Sequence, residues 1–137
     1  MRNLTEQIIN DIKEDELDAV LKPISPEKYF DIIIKPRLDK GECVQNKDGS
    51  WDCKGDVDLE DLRLTKLPVN FRRVGGDFYC SNNQLTTLQG SPKEVGGDFY
   101  CSHNKLTTLE GIGKVGGKIY AWGNPVSKKE LLATIGR

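Results

Sequence analysis

The heptapeptide VGGDFYC occupies residues 74–80 and recurs letter for letter at 95–101, with a weaker third copy, VGGKIYA, at 115–121. Successive copies start 21 and then 20 residues apart. A period of this length marks a solenoid, in which one supersecondary unit cannot bury its apolar face alone and does so against the next copy. The repeat therefore constrains the fold more than any other feature, and it directs the search for function to the residues that vary or line up between copies.

Aligned on their apolar positions, the copies read Val57-x-Leu59 with Leu64 and Leu67, then Phe78-x-Cys80-x-x-Asn83-x-Leu85-x-x-Leu88, then Phe99-x-Cys101-x-x-Asn104-x-Leu106-x-x-Leu109, then Ile119-x-Ala121-x-x-Asn124-x-Val126. Residues two apart share one face of a strand, so Phe78 and Cys80, Phe99 and Cys101, and Ile119 and Ala121 point inward and stack as a parallel sheet. Asn83, Asn104 and Asn124 stand where the chain leaves the strand. A buried amide there can satisfy backbone groups of its own and neighbouring coils. The first copy has Leu62 at that position, as an edge coil would. Gly75-Gly76, Gly96-Gly97 and Gly116-Gly117 precede the strands and allow a tight turn and close approach of coils. LTTLQGSPKE and LTTLEGIGK are too short and too rich in Gly and Pro for a helix and predict turns or 3₁₀ structure. The pattern apolar-x-apolar-x-x-Asn-x-Leu-x-x-Leu resembles the leucine-rich repeat over residues 53–126. The fold expected is an α+β repeat: a short leucine-rich-repeat-like solenoid of about four coils, with a helical cap at each end.

The flanks supply those caps. In residues 3–21, Leu4, Ile8, Ile9, Ile12, Leu17, Val20 and Leu21 make an apolar helical stripe, with Asn3 and Glu6 at capping-box spacing. Pro23 ends this helix. Ser25-Pro26 starts a second that runs to about Ile34 and is closed by Pro36. Residues 43–46 and 50–53 read as a hairpin around Asp48-Gly49 and face Cys43 with Cys53. A cross-strand disulfide is conceivable there, but the expectation is four reduced thiols, Cys43, Cys53, Cys80 and Cys101, in a reducing compartment. Ser127 and Glu130 open a C-terminal helix over 127–137 with Leu131, Leu132 and Ile135 on its apolar side. The resulting division is a helical segment at 1–42, hairpin plus solenoid at 43–126, and cap helix at 127–137. The apolar stripe of the first helix either caps the solenoid or docks on a partner or a second copy.

Residues between the core positions form the outer sheet face in three columns: Asp56, Asp77, Asp98, Lys118; Asp58, Tyr79, Tyr100, Tyr120; and Glu60, Ser81, Ser102, Trp122. An aromatic stripe flanked by carboxylates and ending in tryptophan suits protein recognition, because Tyr and Trp bring area and a polar handle at small entropic cost. The candidate partner-binding residues are Asp58, Asp77, Tyr79, Asp98, Tyr100, Lys118, Tyr120 and Trp122. Identical residues at a fixed repeat also stabilise a parallel ladder by stacking on each other, so both readings stand.

Other chemistry finds little support. His103 is the one histidine and matches Asn82 of the preceding copy, an outward turn position; no nucleophile–base pair accompanies it. Cys80, Cys101 and His103 lack zinc-ligand spacing, and GGD is not a phosphate loop. No catalytic residue, metal or cofactor is expected. A net charge of -1 provides no field for nucleic acid or an anionic membrane. No apolar run is long enough to span a bilayer, and the first twenty residues carry six acids and no signal-peptide core, so the expected location is the cytoplasm.

The phrases VGGDFYC, LTTL and SPKEVGG, with the leading DGSWDCKGDVDLEDLRLTKLP, look like the short leucine-rich-repeat-type proteins of tailed bacteriophages. The resemblance implies a phage context in the host cytoplasm and a binding partner that is a host or phage protein. The expected function is a non-enzymatic effector that binds and modulates a host protein, for instance as an inhibitor. The alternative is a virion or assembly component acting through homotypic contacts. Residues 1–42 carry no part of the resemblance.

Overall fold

The computed structural model describes residues 24–135, and the helix expected over 3–21 lies outside the described residues. Ser25 opens the first helical segment by accepting the Lys28 N–H at 3.2 Å, with Pro26 at the first helical position. Helix α1 (Pro26–Tyr29) passes into a π turn (Phe30–Ile34) and then helix α2 (Lys35–Lys40). The expected stop at Pro36 is thus corrected. A widened turn, in which the Lys35 N–H reaches back five residues to the Phe30 carbonyl, carries the chain through a residue that would break a regular helix. Ile34 and Leu38, one turn apart, are wholly buried beneath the segment.

Among the described residues nine short strands follow: β1 (Cys43–Gln45), β2 (Trp51–Cys53), β3 (Val57–Asp58), β4 (Phe71–Val74), β5 (Phe78–Tyr79), β6 (Glu94–Val95), β7 (Phe99–Tyr100), β8 (Lys114–Val115) and β9 (Ile119–Tyr120). They make two sheets, in the orders β1-β2-β4-β6-β8 and β3-β5-β7-β9. All pairings are parallel except the β1–β2 hairpin. The architecture is a β-solenoid of about three turns, with a helix at either end. The sheet that the hairpin joins corrects the expectation of turns or 3₁₀ structure through the ends of LTTLQGSPKE and LTTLEGIGK, whose last residues, Glu94 and Lys114, open β6 and β8. Its rungs pair as Val74↔Val95 and Val95↔Val115, and β6 and β8 carry one inward residue each, too short for alternation to show. The Gly-Gly corner in each repeat separates the two sheets.

The core is layered by register. Val57, Phe78, Phe99 and Ile119 lie above one another, and the Phe78 and Phe99 rings sit 5.3 Å apart. Ile119 is only partly buried because no coil lies beyond it. Asn83 accepts the N–H groups of Leu62 and Leu64 in the preceding coil, each at 3.0 Å. It donates to Leu59 and Cys80 carbonyls at 2.8 and 3.1 Å. Asn104 repeats this with the Leu85 N–H and the Cys80 and Cys101 carbonyls, and Asn124 with Leu106, Cys101 and Ala121. The amide ladder therefore exists, and the Leu62 coil is served by its neighbour's asparagine.

The thiol expectation needs a correction at one pair: Cys43 and Cys53 are joined by a disulfide. They are direct cross-strand partners of the hairpin and both lie inside, so the register holds the two sulfurs within bonding reach. Cys80 and Cys101 are free and buried. Burial pushes the Cys80 thiol well above its ordinary value and that of Cys101 to about 12, so both remain inert, neutral core residues.

At the far end, α3 (Lys128–Ile135) starts with Ser127 accepting the Glu130 N–H at 3.2 Å. Glu130 does not complete a capping box. Its carboxylate reaches instead to Thr108 Oγ1 at 2.5 Å and the Leu109 N–H at 2.9 Å, pinning the helix to the turn side of the solenoid. Leu131 packs partly against the core, but Leu132 and Ile135 remain exposed.

Candidate functional site

The GGD triplet builds the outer face of β3-β5-β7-β9 by linking coils. Asp56 Oδ1 accepts the Asp77 N–H, Asp77 Oδ1 that of Asp98, and Asp98 Oδ1 that of Lys118, each at 2.7 Å. Each carboxylate lies over the second glycine of the next coil: a Cβ on Gly97 would stand 2.1 Å from Asp77 Oδ1. Gly97 is required by this contact, since it is not among the positive-φ glycines. The aspartates expected to face a partner are therefore committed first to holding the coils together.

The tyrosines form a second ladder beside them. Tyr79 and Tyr100 stack at 4.7 Å with 9° between their planes, and Tyr100 and Tyr120 at 4.7 Å with 7°. In Asp77 and Asp98 the other carboxylate oxygen takes the hydroxyl of its own coil, from Tyr79 to Asp77 Oδ2 at 3.0 Å and from Tyr100 to Asp98 Oδ2 at 3.2 Å. The hydrogen bond to Asp77 is the main cause that raises the Tyr79 phenol to about 12. Desolvation, then the bond to Asp98, raises Tyr100. Lys118 replaces aspartate in the last coil, and Tyr120 instead packs edge-on to Trp122 at 5.4 Å.

The structure brings Tyr79, Tyr100, Tyr120 and Trp122 into one stripe, with Asp77, Asp98 and Lys118 along one flank and Asp58 at its head. The third column does not form as expected. Ser81 and Ser102 are buried, and Ser81 Oγ accepts the Ser102 N–H at 3.0 Å, because the chain is already turning inward toward the asparagine. Trp122 is 57% exposed. His103 is exposed, in a left-handed turn conformation with φ 56° that Asn82 shares at 57°, the outward turn position its alignment indicates.

Stacking uses up ring faces along the stripe, leaving ring edges toward solvent and an open aromatic face at each end. At the C-terminal end, Ile112, Val115, Ile119, Tyr120, Trp122 and Ile135 line an open groove of about 790 Å³ with Lys114 and Lys118. At the N-terminal end, Tyr79 shares a cleft of about 670 Å³ with Pro36, Arg37, Lys40, Asp56 and Asp58. Arg37 crosses to this end by donating to the Asp58 carbonyl at 2.9 Å. Sequence reasoning missed Arg37 and Lys40. They belong to a helix outside the repeat, and no periodic signal connects them to the face.

Among the described residues, no group of three His, Cys, Asp or Glu side chains is placed to hold a metal ion, and no helix is long and apolar enough to cross a membrane. No protein-family model matches the chain, and no curated protein or solved structure matches it.

Proposed function

We infer that the chain is a non-enzymatic protein-recognition module that engages its partner with the C-terminal end of the aromatic stripe. The observation that carries this reading is Trp122. A large aromatic side chain, 57% exposed, stands beside an apolar groove and two lysines, one ladder step past the point where the aspartates stop. Exposed aromatics backed by a rigid scaffold are the composition of interface anchors. The earlier ladder members are held by mutual stacking, so specificity resides in the residues that break the repeat, Lys118 and Trp122. The likeness of the repeats to leucine-rich-repeat-type phage proteins supports a host or phage protein as the partner, in the host cytoplasm, with modulation of a host protein as the outcome.

Capture from host lysate tests this. Trp122→Ala and Lys118→Glu should lose a protein that wild type retains, while their unfolding curves stay close to wild type. Equal recovery of every protein by all three would remove this end of the face from consideration. A second reading, a virion or assembly component, is supported by the final rungs β8 and β9, which have no further strand beside them among the described residues and offer an edge for homotypic contact. Mass spectrometry of purified particles separates the two, since absence from the particle ends the second.

A further inference from the structure

The tyrosine ladder has four places and three tyrosines. Asp58 pairs in register with Tyr79, as Tyr79 does with Tyr100 and Tyr100 with Tyr120, so it holds the first place without a ring. Its carboxylate is engaged elsewhere: Asp58 Oδ1 accepts the Glu60 N–H at 2.9 Å and lies 3.4 Å from Arg37 Nη1. The outer face of Tyr79 therefore borders the cleft of about 670 Å³ formed with Pro36, Arg37, Lys40, Asp56 and Asp58, while its inner face stacks on Tyr100.

The polar half of the missing rung is present too. In the next two coils one aspartate oxygen takes the backbone N–H of the following coil and the other takes a tyrosine hydroxyl. Asp56 does the first, accepting the Asp77 N–H at 2.7 Å, but its own coil has no tyrosine, and Oδ2 has no hydrogen-bond partner among the described residues. We propose that this cleft is a binding site for a para-hydroxyphenyl ring, supplied by a tyrosine side chain of the partner protein. The ring stacks on Tyr79 at the spacing of the ladder and donates its hydroxyl to Asp56 Oδ2. The two precedents for this geometry are the chain's own Tyr79 and Tyr100.

We place the occupant on another molecule. Residues 1–23 and 136–137 contain no aromatic side chain, so none of these residues supplies the ring. Phenylalanine fits the stack but leaves the carboxylate without its donor. A hydrogen bond to a charged group is lost, which weakens binding roughly tenfold or more. This site deepens the recognition reading by naming the chemistry of the partner, and rests on that reading only for the source of the ring.

The test is an NMR titration of the full chain with N-acetyl-tyrosinamide and, separately, N-acetyl-phenylalaninamide. The tyrosine probe is expected to give saturable shifts at Asp56, Asp58 and Tyr79, with the phenylalanine probe at least roughly tenfold weaker. Asp58→Tyr fills the place from within, so it should abolish those shifts; its urea midpoint, expected at or above wild type, verifies that it is folded. Equal response to both probes, shifts confined to other regions, or undiminished binding by folded Asp58→Tyr overturns the proposal. The wild-type comparison stands without the variant. Failure of this titration leaves Trp122-dependent capture intact, and failure of that capture leaves the titration intact, so the two ideas fall separately.

Discussion

Gly97→Ala is the sharpest test of the coil-to-coil ladder. The added methyl carbon would lie 2.1 Å from Asp77 Oδ1, 3.1 Å from its Cγ and 3.0 Å from the Gly76 carbonyl oxygen. The carboxylate must leave, which breaks its 2.7 Å bond from the Asp98 N–H and its 3.0 Å bond from the Tyr79 hydroxyl. Each bond to a charged acceptor contributes about 1.5–3 kcal/mol, and alanine returns about 0.4–1 kcal/mol by restricting the unfolded chain. The net loss expected is about 2–5.5 kcal/mol, read from the urea midpoint by circular dichroism. A double-mutant cycle isolates the cause. With Asp77→Ala already present, only the carbonyl contact remains, and the glycine substitution should cost about 1 kcal/mol or less. Gly49→Ala is the contrast: its φ is 91° but nothing lies within 4 Å, so it should cost only backbone strain of about 1–2 kcal/mol and show no coupling to Asp77. A Gly97→Ala protein as stable as wild type, or a penalty unchanged by removing Asp77, would refute the account of the GGD triplet.

Asn104→Ala should destabilise by about 1–3 kcal/mol in urea unfolding, because it strands the buried Leu85 N–H, while the Cys80 and Cys101 carbonyls lose one donor each but keep the amides of Asn83 and Asn124; a loss below about 1 kcal/mol would mean water replaces the amide. Thiol titration should find none reactive in the native protein, two after denaturation without reductant and four after reduction, given one disulfide and two buried cysteines. Reduction should lower stability by about 2–3 kcal/mol for a separation of 10 residues, and four thiols in the unreduced denatured protein would exclude the bond. Tyr79 has a folded-state value of about 12 against an ordinary 10.0. Its contribution is therefore complete below pH 10 and lost as the pH rises toward 12, with Tyr100 shifted in the same direction. Alkaline unfolding curves should show declining stability across that window, and Asp77→Asn should flatten it; stability independent of pH between 10 and 12 would contradict the Tyr79–Asp77 bond.

Much of the solenoid is legible in the sequence because stacking coils demands repetition. Asn83, Asn104 and Asn124 each serve two coils, so their spacing reports both the period and the role. The continuation of the hairpin sheet through the repeats is hidden for the opposite reason: β6 and β8 carry Val95 and Val115 as one inward residue each, and a single residue has no alternation to read. Pro36 misleads because a helix-breaking rule assumes regular α geometry, and the π turn before it changes that geometry. The Cys43–Cys53 bond is not legible in composition, since the hairpin register that pairs the two residues says nothing of the redox state a sequence implies.

The candidate face shows the same division at finer grain. Tyr79 and Asp77 look like partner contacts in a list of outward residues, yet each has a structural occupation: the ring stacks, and the carboxylate holds a backbone N–H and a hydroxyl. Repetition is thus a signature of the scaffold, and what the scaffold leaves unused appears only where repetition ends. At one end that is Lys118 and Trp122, where no aspartate waits for another coil. At the other it is Asp58, which holds a ladder place without filling it, beside an Asp56 oxygen that the pattern equips for a hydroxyl. Neither follows from any single repeat, because each is a departure measured against copies above or below. The residues most informative about binding are therefore the ones that fit the alignment least.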